Sequence, residues 1–257
     1  MKQPENKILG VIPARYPSVR FPGKPLADVA GKSMIQRVYQ QALKAKWLNR
    51  VVVATDDKRI YDHVKGFGGH VVMTSATHKT GTERCAEVSA MPAMKEYNVV
   101  INIQGDEPLI DPGQIDLLAA IFLNHSPEIA TLVRPVSNHS DLSNPNIVKV
   151  VIAQNGDALY FSRSPIPYIR PDLDPERLKN LVRYHHIGIY GYTQSALQKI
   201  AALEPSPCEI AESLEQLRWL ENGFRIATDV STHISYSIDT PDDLVKVNEL
   251  LKQHPDS

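Results

Sequence analysis

The sequence predicts an α/β fold built on a parallel sheet covered on both faces by helices. Three observations carry this. Residues 1–136 alternate short, almost wholly apolar strand segments with helix-length segments, and strands buried on both faces read as such runs. The chain has 257 residues, enough for one sizeable α/β domain with a small appended lobe. Its composition, 42% apolar and 22% charged, is ordinary globular usage.

The elements follow in order. ILGVIPA (8–14) is a strand, and Ser33 caps a helix whose stripe is Met34, Ile35, Val38 and Leu43. RVVVAT (50–55) is a β-branched strand, followed by a helix from Asp57 that closes at GFGG. HVVMT (70–74), a helix from Thr82, NVVINI (98–103), a helix opened by Asp111 and Pro112, and ATLVRPV (130–136) continue the alternation. The pattern then changes. IVKVVIAQNGDALYFS reads as a hairpin around Asn155 and Gly156. SPIPYIRPDLDPERL is an extended excursion carrying Ile166, Tyr168 and Ile169 to pack on something. HHIGIYGY restores the α/β pattern, and a helix is expected over 209–222. The closing helix has Thr240 as N-cap, Pro241 in the first turn and Asp243 as the capping-box acid.

Bulk properties exclude several classes. A formal net charge of −1 gives no global field to recruit nucleic acid or an anionic membrane. The N-terminus reads as a first strand, not a signal peptide, and no run approaches a membrane helix; LLAAIFL is the longest clean one. Cys85 and Cys208 are far apart, which argues against a disulfide framework or a zinc site and makes a reducing cytoplasm the default compartment.

Ligands of parallel sheets sit beyond the carboxyl ends of the strands. That singles out Arg15, Asp56, Thr74, Ser75, Gln104, Gly105 and Asp106. Arg15, Arg20 and Lys24 share a loop stiffened by Pro13, Pro17, Pro22, Gly23 and Pro25, which suits either a solvated basic surface or a triphosphate cradle. It is not a P-loop: Gly31, Lys32 and Ser33 supply the end of that motif, but its first glycine position holds Leu26. The GxGxxG dinucleotide fingerprint is missing too. Asp106 ends a buried strand and Asp239 precedes a capped helix, so both suit a magnesium–nucleotide crevice; Asp239 also suits a helix dipole, and Asp56 is a rival carboxylate. On the 209–222 helix, Ile210, Leu214, Leu217 and Glu221 share one side. Glu212, Glu215, Gln216 and Trp219 lie opposite, on a face that is either solvated or a second contact surface. His185 and His186 begin a strand, so alternation turns them to opposite faces.

These motifs together resemble one family. IPARYPSVRFPGKPL, GKSMIQRV, VVVATDD, TGTER, VVINIQGDEPLI, NPNIVKVV, ALYFSRSPIPY, HHIGIYGY, ESLEQLRWLENG and SIDTPDDL run in order as in the Kdo (3-deoxy-manno-octulosonate) cytidylyltransferases. The resemblance implies a Rossmann-like nucleotide-diphospho-sugar transferase fold, with a mixed, mostly parallel sheet flanked by helices. It implies a single domain over 1–257 with a dimerisation excursion at about 137–192, and hence a homodimer. The implied reaction is CTP plus Kdo giving CMP-Kdo and pyrophosphate, with Mg²⁺. By motif match Arg15, Arg20 and Lys24 would hold the triphosphate, Thr82 and Arg84 would lie near the nucleotide, and Gln104 between nucleotide and sugar. Asp106 and Asp239 would be metal ligands, making Lys24, Asp106 and Asp239 the catalytic set. Arg163, His186, Tyr190, Glu215 and Gln216 would line the sugar pocket.

The sequence departs from the family pattern at His185, where Arg or Lys is usual, at Cys208 and Ile210, and at Ser164. These bear on sugar contacts, not metal ligands. An enzyme for 8-amino-Kdo or a sialic acid is the alternative; QGDEP, HxGxYGY and ESLEQLR speak against the latter. A catalytically idle nucleotide-binding regulator is countered by Lys24, Asp106 and Asp239, and a glycosyltransferase by the lack of a DxD motif after a strand.

Overall fold

The computed structural model describes residues 6–17, 21–234 and 236–253. The chain enters the sheet with β1 (Ile8–Ala14), then forms a small ribbon, β2 (Asp28–Val29) and β3 (Lys32–Ser33), before α1 (Met34–Ala42). Next come β4 (Arg50–Thr55), α2 (Lys58–Gly66), β5 (Val71–Met73), α3 (Gly81–Ala90), β6 (Val99–Asn102), α4 (Pro112–His125) and β7 (Ile129–Pro135). A short α5 (His139–Ser143) leads to the hairpin of β8 (Lys149–Ile152) and β9 (Ala158–Ser162). β10 (Tyr184–Thr193), α6 (Gln194–Ala201), α7 (Pro207–Glu212), α8 (Glu215–Glu221), β11 (Ile226–Val230) and α9 (Pro241–Gln253) follow.

The main sheet has the order β11-β7-β10-β6-β1-β4-β5, with β8 and β9 attached beside β10. β1 is parallel to β4 and β6, β4 to β5, and β7 to β11. β10 runs antiparallel between β6 and β7, so the sheet is mixed rather than wholly parallel. The connection explains this: the chain leaves β7 at its carboxyl end, builds the β8–β9 hairpin there, and re-enters the sheet from that same end.

Both faces are covered, as the apolar strands require. Along β1, Ile8 and Ile12 face a core shared with Ile35, Val38, Ile60, Val64, Ile115 and Leu118 of α1, α2 and α4. Leu9 and Val11 face a second core with Cys85, Val88, Leu197, Ile200, Leu217 and Trp219 of α3, α6 and α8. A third cluster packs Val247 and Leu251 of α9 on Val29, Met34 and Ile238. The capping signals are realised: Ser33 Oγ accepts from Gln36 N at 3.2 Å, and Asp111 accepts from Gly113 N at 2.7 Å. Thr240 and Asp243 cap reciprocally at 3.0 and 3.3 Å.

The helix expected over 209–222 is instead two, α7 and α8. Ser213 adopts φ 52° and Leu214 is extended at φ −127°. The break has a tertiary cause. Glu212 turns its carboxylate to Ser162 Oγ and Arg163 N, each at 2.6 Å, and the Glu212 and Ser213 carbonyls accept from the Arg163 guanidinium. The expected faces change accordingly: Trp219 is buried in the core and Ile210 is 68% exposed. In the excursion, Ile166 and Ile169 are half-buried but Tyr168 points outward.

Candidate active site

A cleft of about 820 Å³ opens at the carboxyl ends of β1 and β6. Pro13, Arg15, Lys24, Gly81, Arg84 and Asp106 are among the residues lining it. The loop after β1 is held in shape by its own residues. Gly23 takes φ 69°, a left-handed backbone that glycine adopts without penalty, and its N–H donates to Tyr16 O at 2.9 Å. The Arg59 guanidinium lies 3.3 Å from the centre of the Tyr16 ring. Lys24, next to Gly23, opens a short 3₁₀ turn and is thereby aimed into the cleft. Arg20 lies outside the described residues.

Lys24 Nζ donates to Asp106 Oδ2 at 2.7 Å and to Asp239 Oδ1 at 3.2 Å. Two carboxylates far apart in sequence thus face one cation. The backbone fixes their approach, since Ile238 N donates to Asp106 O at 2.9 Å. Gly105 permits it: a Cβ there would stand 2.7 Å from Pro13 O. Asp239 sits just before α9, where the Thr240–Asp243 capping box anchors it.

Arg15 is exposed at the cleft wall, with one guanidinium nitrogen donating to Lys79 O at 3.2 Å. Arg84 is almost wholly buried below it. It bonds Thr74 Oγ1 and stands 3.3 Å from Asp56. Burial pulls the guanidinium below its ordinary pKa, and Asp56 opposes that shift. Asp56, the rival carboxylate of the sequence, is therefore partnered by Arg84, and it does not join Asp106 and Asp239. Among the described residues no group of three or more His, Cys, Asp or Glu forms a metal cluster.

Gln104 reaches sideways from the cleft, its amide donating to Gly188 O at 2.7 Å. Gly188 is offered by an irregularity in β10: His186 pairs with Val133 and Ile187 with Leu132, but Thr131 pairs with Tyr190. Thr131 Oγ1 donates to Ile189 O at 2.7 Å, so the Nε2–H of His186, 3.0 Å away, is the donor to that hydroxyl. A second pocket of about 410 Å³ lies on this side, bordered by Glu107, Arg134, Asn146, His185, His186 and Gly188.

The other expected sugar residues are distributed differently. His185 and His186 do face opposite ways: the first meets Arg134, the second packs edge-on against Phe161 with ring centres 5.2 Å apart. Burial, then the neighbouring His185, pushes the His186 imidazole down to about 3, so it stays neutral. Tyr190 is buried between His186 and Trp219. Glu215 accepts from Thr82 Oγ1 at 2.8 Å, and burial raises its carboxyl above the ordinary range against the pull of that bond. Gln216 is buried in α8. Arg163 spends its nitrogens on the carbonyls of Glu212 at 2.7 Å, Pro145 at 3.0 Å and Ser213 at 3.3 Å. Arg15, Lys24, Arg84, Gln104 and Asp106 thus share the cleft, while Tyr190 and Gln216 are buried and Glu215 is half-buried against Thr82. The sequence put Glu212 on a candidate contact face but did not show that it would hold the hairpin to α7, nor that Arg134 and His185 would pair. No local pattern in the sequence signals that pair; the strand register of the fold sets His185 opposite Arg134.

A cytidylyltransferase family model matches residues 9–226. The 3-deoxy-manno-octulosonate cytidylyltransferase of Parabacteroides distasonis is 51% identical over 93% of this chain and 96% of its own length. The enzyme of that name from Bacteroides thetaiotaomicron is 50% identical over 96% of this chain and 98% of its own. A solved structure described as CMP:2-keto-3-deoxy-manno-octonic acid synthetase complexed with CTP superposes with a TM-score of 0.88 at 42% identity, covering 96% of this chain and 99% of that one.

Proposed function

The chain belongs to the 3-deoxy-manno-octulosonate cytidylyltransferase family, and from that premise we propose that it transfers CMP from CTP to the anomeric hydroxyl of Kdo, releasing pyrophosphate and activating Kdo for lipopolysaccharide synthesis. The observation that carries the reading in this molecule is the pairing of Asp106 and Asp239 about the Lys24 ammonium, on the wall of a cleft flanked by Arg15 and Arg84.

The reaction is a displacement at the α-phosphorus. A bond forms from the sugar oxygen, the bond to the β-phosphate oxygen breaks, pyrophosphate departs and the hydroxyl proton passes to solvent. Such transfers need alignment and charge stabilisation more than covalent help from the protein. Arg15 and Lys24 bind the triphosphate and stabilise the departing pyrophosphate, with Arg20 as a helper. Thr82 and Arg84 shape the nucleotide side, and Gln104 separates nucleotide from sugar. His186, Tyr190, Glu215, Gln216 and Arg163 form or support the sugar side.

Asp106 and Asp239 fit a divalent cation. They already face a positive charge, and oxygen donors with phosphate completing the shell are what Mg²⁺ takes. Mg²⁺ bound there would neutralise the α-phosphate and acidify the attacking hydroxyl.

We assign the excursion at about 137–192 as a homodimer lobe of the single 1–257 domain. Its support is the exposure of Leu159, Tyr160, Tyr168, Leu181 and Val182 on one segment; sedimentation equilibrium tests it, and a monomer at micromolar concentration overturns it. No helix among the described residues is long and apolar enough to cross a membrane, and we place the reaction in the cytoplasm. Mass spectrometry of products formed from CTP with Kdo, 8-amino-Kdo and a sialic acid tests the reading. CMP-Kdo is the expected product. The 8-amino conjugate alone would move the assignment to that sugar, and no conjugate at all would favour a binding regulator.

A further inference from the structure

We infer that Arg134, braced by His185, is the anchor for the carboxylate of the acid sugar, and that the pocket beside the nucleotide cleft is where that sugar lies. The inference deepens the function proposed above and rests on it.

The pocket adjoins the site of the chemistry. Gln104 lines the cleft and bonds Gly188 on the pocket wall. Asp106 lines the cleft while the next residue, Glu107, lines the pocket, and Ser237 borders it two positions before Asp239. A sugar whose anomeric hydroxyl sits at the Asp106–Asp239 pair therefore extends into this space of about 410 Å³.

An acid sugar brings a carboxylate, which needs a fixed cation where solvent is excluded. Arg15 and Lys24 serve the triphosphate side. Arg163 is the cation that sequence motifs suggest, but its guanidinium is spent on three backbone carbonyls. Arg134 remains. It is half-buried at the end of β7 and lines the pocket. Its Nε donates to His185 Nε2 at 2.8 Å, and among the described residues its two terminal nitrogens have no hydrogen-bond partner. One edge of the planar guanidinium is thus fixed, and the other nitrogens are left for a ligand.

His185 is suited to the brace. Accepting from Arg134 requires Nε2 to be unprotonated, and burial followed by the Arg134 charge lowers the imidazole pKa, with Asp141 opposing. An arginine or lysine at position 185 could not accept that bond. Asp141 and Glu107 border the pocket as well.

The test compares equilibrium binding of Kdo and its methyl ester to wild type, Arg134→Met and Arg134→Lys in the presence of CMP. Wild type should prefer the acid by about 10- to 100-fold, the range for losing a charge-assisted hydrogen bond. Arg134→Met should bind acid and ester alike, and Arg134→Lys should recover part of the preference. CTP affinity, measured on each protein, reports on its folding. A wild type without acid preference, or a preference kept in Arg134→Met, overturns the inference. Turnover is scored separately: acid preference without CMP transfer would sink the proposed function and leave the Arg134 assignment standing.

Discussion

Lys24 Nζ stands 2.7 Å from Asp106 and 3.2 Å from Asp239, so a lysine from the first loop neutralises two carboxylates brought from the middle and the end of the chain. The Lys24 side chain is 15% exposed, so its ammonium is partly desolvated between them. A divalent cation and Lys24 therefore compete for the same oxygens, and a nucleotide triphosphate offers Lys24 another partner.

Replacing the lysine separates these roles. Lys24→Met should bind Mn²⁺ more tightly in the absence of nucleotide, on the order of tenfold, or roughly 1.4 kcal/mol of coupling. It should bind CTP more weakly. Titration of free Mn²⁺ by electron paramagnetic resonance reads the first effect. Unchanged or weaker Mn²⁺ binding would contradict the competition.

Removing either carboxylate should stop turnover without unfolding the chain. For Asp106→Asn and Asp239→Asn we expect kcat to fall roughly 10²-fold or more, with far-ultraviolet circular dichroism unchanged. Near-normal kcat in one variant would remove that residue from the site.

Gly105 should be intolerant of a side chain. In Gly105→Ala the new methyl meets Pro13 O at 2.7 Å, and that oxygen is backbone rather than a flexible tip. The overpacking costs about 1–3 kcal/mol, so the variant should melt several degrees lower and lose activity through the displaced Asp106. An unchanged melting temperature would show that the loop yields freely.

His186 should make stability depend on pH in a defined window. Its folded pKa, about 3, lies below its ordinary value of 6.5, so between those values the unfolded chain holds more protons. Stability is then full above about 6.5 and is lost as pH falls towards 3, by about 1.4 kcal/mol per pH unit from this group alone. Urea unfolding at pH 7 and pH 5 should show the loss in wild type and less of it in His186→Asn. Equal losses would mean the imidazole titrates normally.

Much of this was legible in the sequence because local rules and tertiary structure agree. The apolar strands, the Ser33 and Asp111 caps and the Thr240–Asp243 box all report short-range physics. The meeting of Asp106 and Asp239 at Lys24 accords with their sequence positions, one after a buried strand and one before a capped helix. The misses share one cause, long-range partners. Nothing local says that Glu212 will hold Ser162 and the Arg163 backbone where the 209–222 helix breaks at Ser213, or that Trp219 will be buried against Tyr190 and Tyr192. Periodicity could not tell that Asp56 would be claimed by Arg84, or that Arg134 would find His185 across the strand pair.

The central claim is acid-sugar activation by the cleft around Lys24, Asp106 and Asp239. Its most direct test is continuous measurement of pyrophosphate release by the purified full chain with CTP and Mg²⁺, before and after Kdo is added. The account predicts no release without Kdo, rapid release once it is added, and none in the presence of a chelator. Release that ignores Kdo, or none with any acid sugar, would contradict it.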